Sequence, residues 1–281
     1  MALLVQDIKF VVHKTAQIAY MIILLSPAKT LDFESEAPTS HSSDLVYSEE
    51  AAYLAGKLKK FSARKLRNLM DISTDLADLN AERYQSMSFP FNLENAKQAL
   101  FAFKGDVYQG LKAEELSADD INFAQSHLRI LSGLYGILRP LDLIQPYRLE
   151  MGTDWAVTPK KKSLYLYWKP LLTKFLSREI EAKQAGFVLN LASQEYAKAV
   201  DLKKIDIPVI APEFREERNG EFKMISFFAK KARGMMTAFA IKNKISNPEE
   251  LKSFGEEGYG FNEKLSDTGK NNWVFTRKPQ Q

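Results

Sequence analysis

The chain has no cysteine and only three histidines, His13, His41 and His127, among its 281 residues. Disulfides, thiol nucleophiles, cysteine redox sensing and ordinary cysteine-ligated iron–sulfur clusters are excluded, and a multi-histidine metal centre is disfavoured. Long apolar runs are missing too. The longest uncharged stretch near the start, Thr15 to Ala28, is fourteen residues, short of the roughly twenty that a helix needs to cross a bilayer; no membrane span is expected. Asp7, Lys9 and Lys14 interrupt the first apolar stretches, which is the wrong order for a secretory leader. Charge of one sign is not in large excess. The 39 Lys and Arg against 35 Asp and Glu leave a net +4, which permits a nucleic-acid partner without requiring one.

What is present suffices for a packed core: 45% hydrophobic and 26% charged residues describe a globular protein. No internal repeat and no Gly/Ser-rich linker divides it. One mixed α/β domain over residues 21–281 is expected, with residues 1–20 an N-terminal extension or alternative-start segment ahead of the strand-like run Met21-Ile22-Ile23-Leu24-Leu25. No cofactor is expected.

Helical signals fill Ser48 to Met87, where Ser48 and Ser62 can each cap a helix. Ser117 precedes Ala118, Asp119 and Asp120, and the spacing of Ile121, Ala124, Leu128 and Leu131 predicts a helix over 118–131. Three apolar runs read as buried strands leading into helices: Ile22 to Leu25, Phe187 to Leu191 and Met224 to Phe228. Asn219-Gly220 suits a tight turn between strands at Ile207 to Ala211 and Phe222 to Phe228. The sheet is therefore expected to be mixed, central and surrounded by helices. A short strand closes the chain between Gly269 and Gln281.

Several clusters suit chemistry or anion binding, each with a plainer structural reading beside it. Ser26-Pro27 is placed to start a helix, and Lys29 adds positive charge to amides that can hold an anion; equally, Ser26 caps and Lys29 is solvated. Ser193, followed by Glu195 and Tyr196, repeats the strand-then-hydroxyl arrangement, and two such junctions side by side would form a ligand crevice. Lys104-Gly105-Asp106 offers a cation, a flexible glycine and a carboxylate, or merely a turn in which Lys104 pairs with Asp106. Lys57, Lys59, Lys60, Arg64, Lys65 and Arg67 place six cations in eleven positions, and Lys230, Lys231 and Arg233 form a second group; both can face phosphates or solvent. In Leu131 to Asp142, Gly133 and Gly136 link helical stretches in the manner of a helix-hairpin-helix, whose glycine amides approach a phosphate. Arg139 and Arg148 nearby can reach phosphates, or pair with Asp142 and Glu150.

Together, SPAKTLD (Ser26 to Asp32), FKGDVY (Phe103 to Tyr108), LSGLYGILRPLDLIQPYRLEMG (Leu131 to Gly152), NLASQEY (Asn190 to Tyr196) and ISFFAKKARG (Ile225 to Gly234) resemble the YaaA family of bacterial peroxide-stress proteins. The resemblance runs from Met21 almost to the C-terminus. It implies a cytoplasmic protein that limits iron-dependent peroxide damage, a DNA-binding cleft, and a cantaloupe-type α/β fold containing a helix-hairpin-helix. Carried onto matching motif positions, it makes Lys29, Lys104, Gly133, Gly136, Arg139, Arg148, Lys230, Lys231 and Arg233 the expected contacts to double-stranded or structured DNA, bound largely without regard to sequence. The alternative is an enzyme acting on a nucleotide or damaged nucleic-acid base, with Ser26, Lys29, Asp106, Glu195 and Tyr196 gathered at the strand ends. Convergence of Asp106, Glu195 and Ser26 in one pocket favours chemistry; an open groove of Arg and Lys favours binding alone.

Overall fold

The computed structural model describes residues 20–278. The chain opens with β1 (Tyr20–Leu25) and β2 (Thr30–Leu31), then three helices, α1 (Ser48–Leu58), α2 (Ala63–Met70) and α3 (Thr74–Ser86). Next come β3 (Lys97–Gln98), α4 (Ala99–Ala102), β4 (Phe103–Lys104), α5 (Asp106–Leu111), α6 (Ala118–His127), β5 (Leu128–Ser132), β6 (Gly136–Leu138) and β7 (Leu143–Ile144). The last third holds α7 (Leu164–Lys183), β8 (Ala185–Asn190), α8 (Gln194–Ala197), β9 (Val209–Ile210), β10 (Glu213–Arg218), β11 (Glu221–Lys223), α9 (Ser226–Lys242), β12 (Gly260–Phe261) and β13 (Val274–Arg277). Serine starts many of the helices: the hydroxyls of Ser62, Ser73, Ser117, Ser163 and Ser193 each accept a backbone N–H from the first turn. Ser117 and Asp120 complete a capping box.

The central sheet has the order β6-β5-β1-β8-β9. β1 runs parallel to β5 and β8, β9 runs parallel to β8, and β6 is antiparallel to β5. Met21 to Leu25 are all fully buried, which means that both faces of β1 are covered and explains its unbroken apolar run. On α7, Leu164, Trp168, Leu172 and Leu176 recur every four residues and are buried, making a stripe that packs on β6 and β8. A second mixed sheet, β11-β10-β13-β12, is joined to the body through α9, which packs on β10 and α5. One apolar cluster extends from Met21 to Phe275.

The expected mixed α/β class with a central mixed sheet is found, and several local expectations are corrected. The predicted helix 118–131 ends at His127; Leu128 to Ser132 instead form β5, with Ile23 opposite Leu128 and Leu25 opposite Ile130. The helical spacing of Leu128 and Leu131 was coincidental, because burial between two strands outweighs local periodicity. The helix-hairpin-helix expected around Gly133 and Gly136 is a β-hairpin of β5 and β6. Both glycines are buried, Gly133 in its turn and Gly136 at the start of β6. A Cβ on Gly136, whose φ is +72°, would lie 2.5 Å from the Trp168 ring, and one on Gly133 would lie 2.3 Å from the Leu149 carbonyl oxygen; close packing is what requires glycine there.

No helix follows Ser26, since the chain passes directly into β2. Met224 to Phe228 is not a strand: β11 stops at Lys223 and α9 begins at Ser226. Asn219-Gly220 does form the turn, with φ of 54° and 80°, but it joins β10 to β11, while Val209–Ile210 pairs with β8 in the central sheet. The closing strand is β13. The extension expected over residues 1–20, with His13, lies outside the described residues except for Tyr20, which opens β1, stacks on His127 at 4.0 Å and donates its hydroxyl to the Ser126 carbonyl.

Candidate functional site

From β1 the sheet winds to β5 on one side and to β8 on the other, so the winding reverses between β1 and β8. Open α/β sheets bind ligands outside the carboxyl ends of the strands at such a reversal. Here those ends are Leu25 and Asn190, and beyond them lies a cavity of about 380 Å³.

Its floor is tied together by backbone. Ser26, 8% exposed, accepts the Ser193 N–H on its hydroxyl at 2.9 Å, and its carbonyl accepts the Tyr108 hydroxyl at 3.2 Å. These bonds fasten the ends of β1 and β8 to α5. Glu195, in the first turn of α8, accepts the Gly152 N–H at 2.9 Å. Burial first, then Tyr147, Glu195 and Glu150, pushes the Tyr196 hydroxyl far above its usual pKa, so it stays protonated at neutral pH and available as a donor.

The wall opposite is set by two helices in backbone contact. A Cβ on Gly234 would sit 1.7 Å from the Val107 carbonyl oxygen, and one on Gly110 would sit 2.1 Å from that of Lys231. These glycines let α5 and α9 touch, which brings Asp106 at the start of α5 beside Lys230 and Arg233 of α9. Asp106 and Lys230 face each other at 3.8 Å.

Most cations around the cavity already hold an acid. Lys29 pairs with Glu150 at 2.7 Å, and Glu150 also accepts Arg148 at 3.0 Å. Lys104 pairs with Asp32 at 3.2 Å, not with Asp106 as its sequence neighbour suggested. The Ser35 backbone N–H and then its hydroxyl hold the Asp32 carboxyl far below the usual range. Arg233 differs: among the described residues its guanidinium has no hydrogen bond or ion pair, and burial pulls its pKa down.

The cavity thus brings together Ser26, Lys29, Asp106, Glu195 and Tyr196, with Lys104, Lys230 and Arg233 on its lining. The other expected contacts lie elsewhere. Arg139 is held by Asp142 at 2.9 Å and by the Asp44 carbonyl at 2.6 Å, Lys231 pairs with Glu257, Gly136 lies against the Trp168 ring and Gly133 against the Leu149 carbonyl. Arg148 bonds Glu150, while its Nε is buried without a partner. Lys57 and Lys65 stack over Tyr53 and Phe61, away from the cavity. Ser193 lines the cavity beside Ser26, where the two strand-then-hydroxyl junctions were expected to meet, whereas Glu150 was not assigned to it; an acid two residues before Gly152 was the available signal.

Fold and crevice together define a mixed α/β protein with a cavity lined by charged and polar residues at the sheet's switch point. The chain belongs to the family described as peroxide stress protein YaaA, which matches residues 21–265. It is similar to a UPF0246 protein of Hahella chejuensis, 51% identical over 257 residues that cover 92% of this chain and 99% of the relative. A UPF0246 protein of Teredinibacter turnerae is 48% identical over 258 residues, covering 92% of this chain and all of the relative. Among the described residues no helix is long and apolar enough to cross a membrane.

Proposed function

We propose that this protein serves the peroxide response by binding nucleic-acid phosphate in the switch-point crevice, largely independently of base sequence, and so limits iron-dependent damage to cytoplasmic DNA by occupying it. The observation that carries the proposal is the gathering of Lys29, Lys104, Lys230 and Arg233 from three separate stretches of chain around one cavity. Phosphate contacts of this kind give affinity without sequence information. Lys161, Lys169 and Lys174, which have no ion pairs among the described residues, line a further cavity and add a surface for a strand to follow. Fluorescence anisotropy with labelled duplex and gapped DNA, titrated across salt, is the test: affinity should fall with salt and should be lost in Lys230→Glu with Arg233→Glu. Undetectable binding at low salt removes DNA from the account.

The convergence of Asp106, Glu195, Ser26 and Tyr196 in the same cavity favours a second reading, an enzyme acting on a nucleotide or damaged nucleic-acid base. The carboxylates would accept a proton, and Tyr196, kept protonated, would donate a hydrogen bond to the substrate. Product formation from oxidised nucleotides, absent in Asp106→Asn and Glu195→Gln variants, distinguishes this enzyme from a binding protein.

A further inference from the structure

We infer that the crevice reads one phosphodiester group, a single linkage of a strand, and neither a run of backbone phosphates nor a polyphosphate. The inference rests on the proposal that the crevice binds nucleic-acid phosphate. The cavity is lined by four cations, Lys29, Lys104, Lys230 and Arg233, and three acids, Asp106, Glu150 and Glu195, so its formal balance is +4 − 3 = +1. One negative charge neutralises it. A triphosphate would add about three uncompensated charges in a partly enclosed space, where each is felt strongly.

The same number follows from the pairing. Lys29 is committed to Glu150, whose other oxygen holds Arg148; Lys104 is committed to Asp32, itself fixed by Ser35; and Lys230 faces Asp106. Freeing any of these lysines for a phosphate breaks an ion pair; Asp106 would then be left without one among the described residues, while Glu150 would keep Arg148 and Asp32 would keep Lys97 at 3.7 Å. Arg233 alone can accept an anion without displacing a partner, and its planar fork suits two phosphodiester oxygens at once. The volume, about 380 Å³, is at the small end of ligand pockets and fits a ligand of one or two nucleotide units. A linkage reaches such a recess at a strand end, a gap or an extruded nucleotide, where the backbone departs from the duplex.

Salt dependence counts the phosphate contacts residue by residue, since the logarithm of affinity falls with a slope of about 0.9 per duplex phosphate neutralised, or about 0.7 on a single strand. With the full chain and gapped DNA, Arg233→Ala should lower the slope by about one. Lys29→Gln combined with Lys230→Gln should weaken binding, because it leaves Asp106 unpaired beside the phosphate, while the slope falls by less than about one. A slope reduced by about two in that double variant overturns the single-linkage assignment while leaving DNA binding intact. In competition against the labelled DNA, the dinucleotide thymidylyl-thymidine should displace it at least as well as thymidine triphosphate; a triphosphate better by about tenfold overturns the inference. DNA binding with slope and affinity unchanged in Arg233→Ala places the contact elsewhere and overturns both the inference and the assignment of the crevice. No DNA binding at all removes both.

Discussion

Arg233 and Gly136 hold opposite kinds of constraint. Arg233 is a cation kept available, because none of the described acids pairs with it and its surroundings exclude much of the water that would otherwise stabilise its charge. Replacing it with alanine should weaken the binding of a phosphate ligand by about 2–3 kcal/mol, roughly 30- to 150-fold, the usual value of hydrogen bonds to a charged group. Titration calorimetry with a dinucleotide measures it, and a loss under about threefold shows that the anion sits elsewhere. Gly136 is a position with no room. An alanine there has to adopt a φ of +72° and to displace Trp168, so Gly136→Ala should cost about 3 kcal/mol of stability, visible as an earlier urea midpoint. The sequence marks both residues as unusual but not why. Nothing local distinguishes a glycine that exposes its amide to a phosphate from one that makes way for an indole 32 residues later.

At the scale of elements, the contact between α5 and α9 sets the width of the crevice. Gly234→Ala places a methyl where the Val107 carbonyl stands, and should either push the helices apart or cost about 3 kcal/mol or more. Denaturation and DNA titration of the same sample check this: stability and affinity should fall together, and a variant with normal stability and affinity contradicts the geometry. Element identity was legible where a cap or an unbroken apolar run fixes it. The capping box of Ser117 and Asp120, the Ser62 cap, the Asn219-Gly220 turn and the buried run of β1 all read correctly from the sequence. Boundaries were not legible where a tertiary partner decides. Leu128 to Ser132 is a strand because β1 lies alongside it, and Ile225 to Phe228 starts a helix because its packing on α5 requires one. The crevice residues were legible as polar groups at strand ends; their ion pairs, spanning 72 residues between Asp32 and Lys104, were not.

For the whole molecule, stability should depend on pH through His127. This ring is stacked between Tyr20 and Phe123 at 4.0 and 3.8 Å and hydrogen-bonded to the Met21 carbonyl, and burial lowers its pKa below 6.5. The unfolded chain then takes up a proton at about pH 6.5 that the folded chain refuses. The stabilisation is fully present above that pH and is lost as pH falls toward the folded value, by at most about 1.4 kcal/mol per pH unit. Asp142, whose carboxyl is raised by burial, acts in the opposite direction. The difference between wild type and His127→Gln therefore isolates the histidine: it should shrink from pH 7.5 to 5.5 in urea titrations, and a constant difference refutes the account. The central sheet also has an order in time. In β1, Ile23 lies opposite Leu128 and Ile22 opposite Val188, partners separated by 105 and 166 residues. At roughly 5 to 20 residues per second of synthesis, Val188 leaves the ribosome about 8 to 33 seconds after Ile22. Throughout that interval the most apolar strand of the protein waits on the nascent chain with one or both edges open, so its yield in the cell depends on what shelters that strand before its neighbours are made.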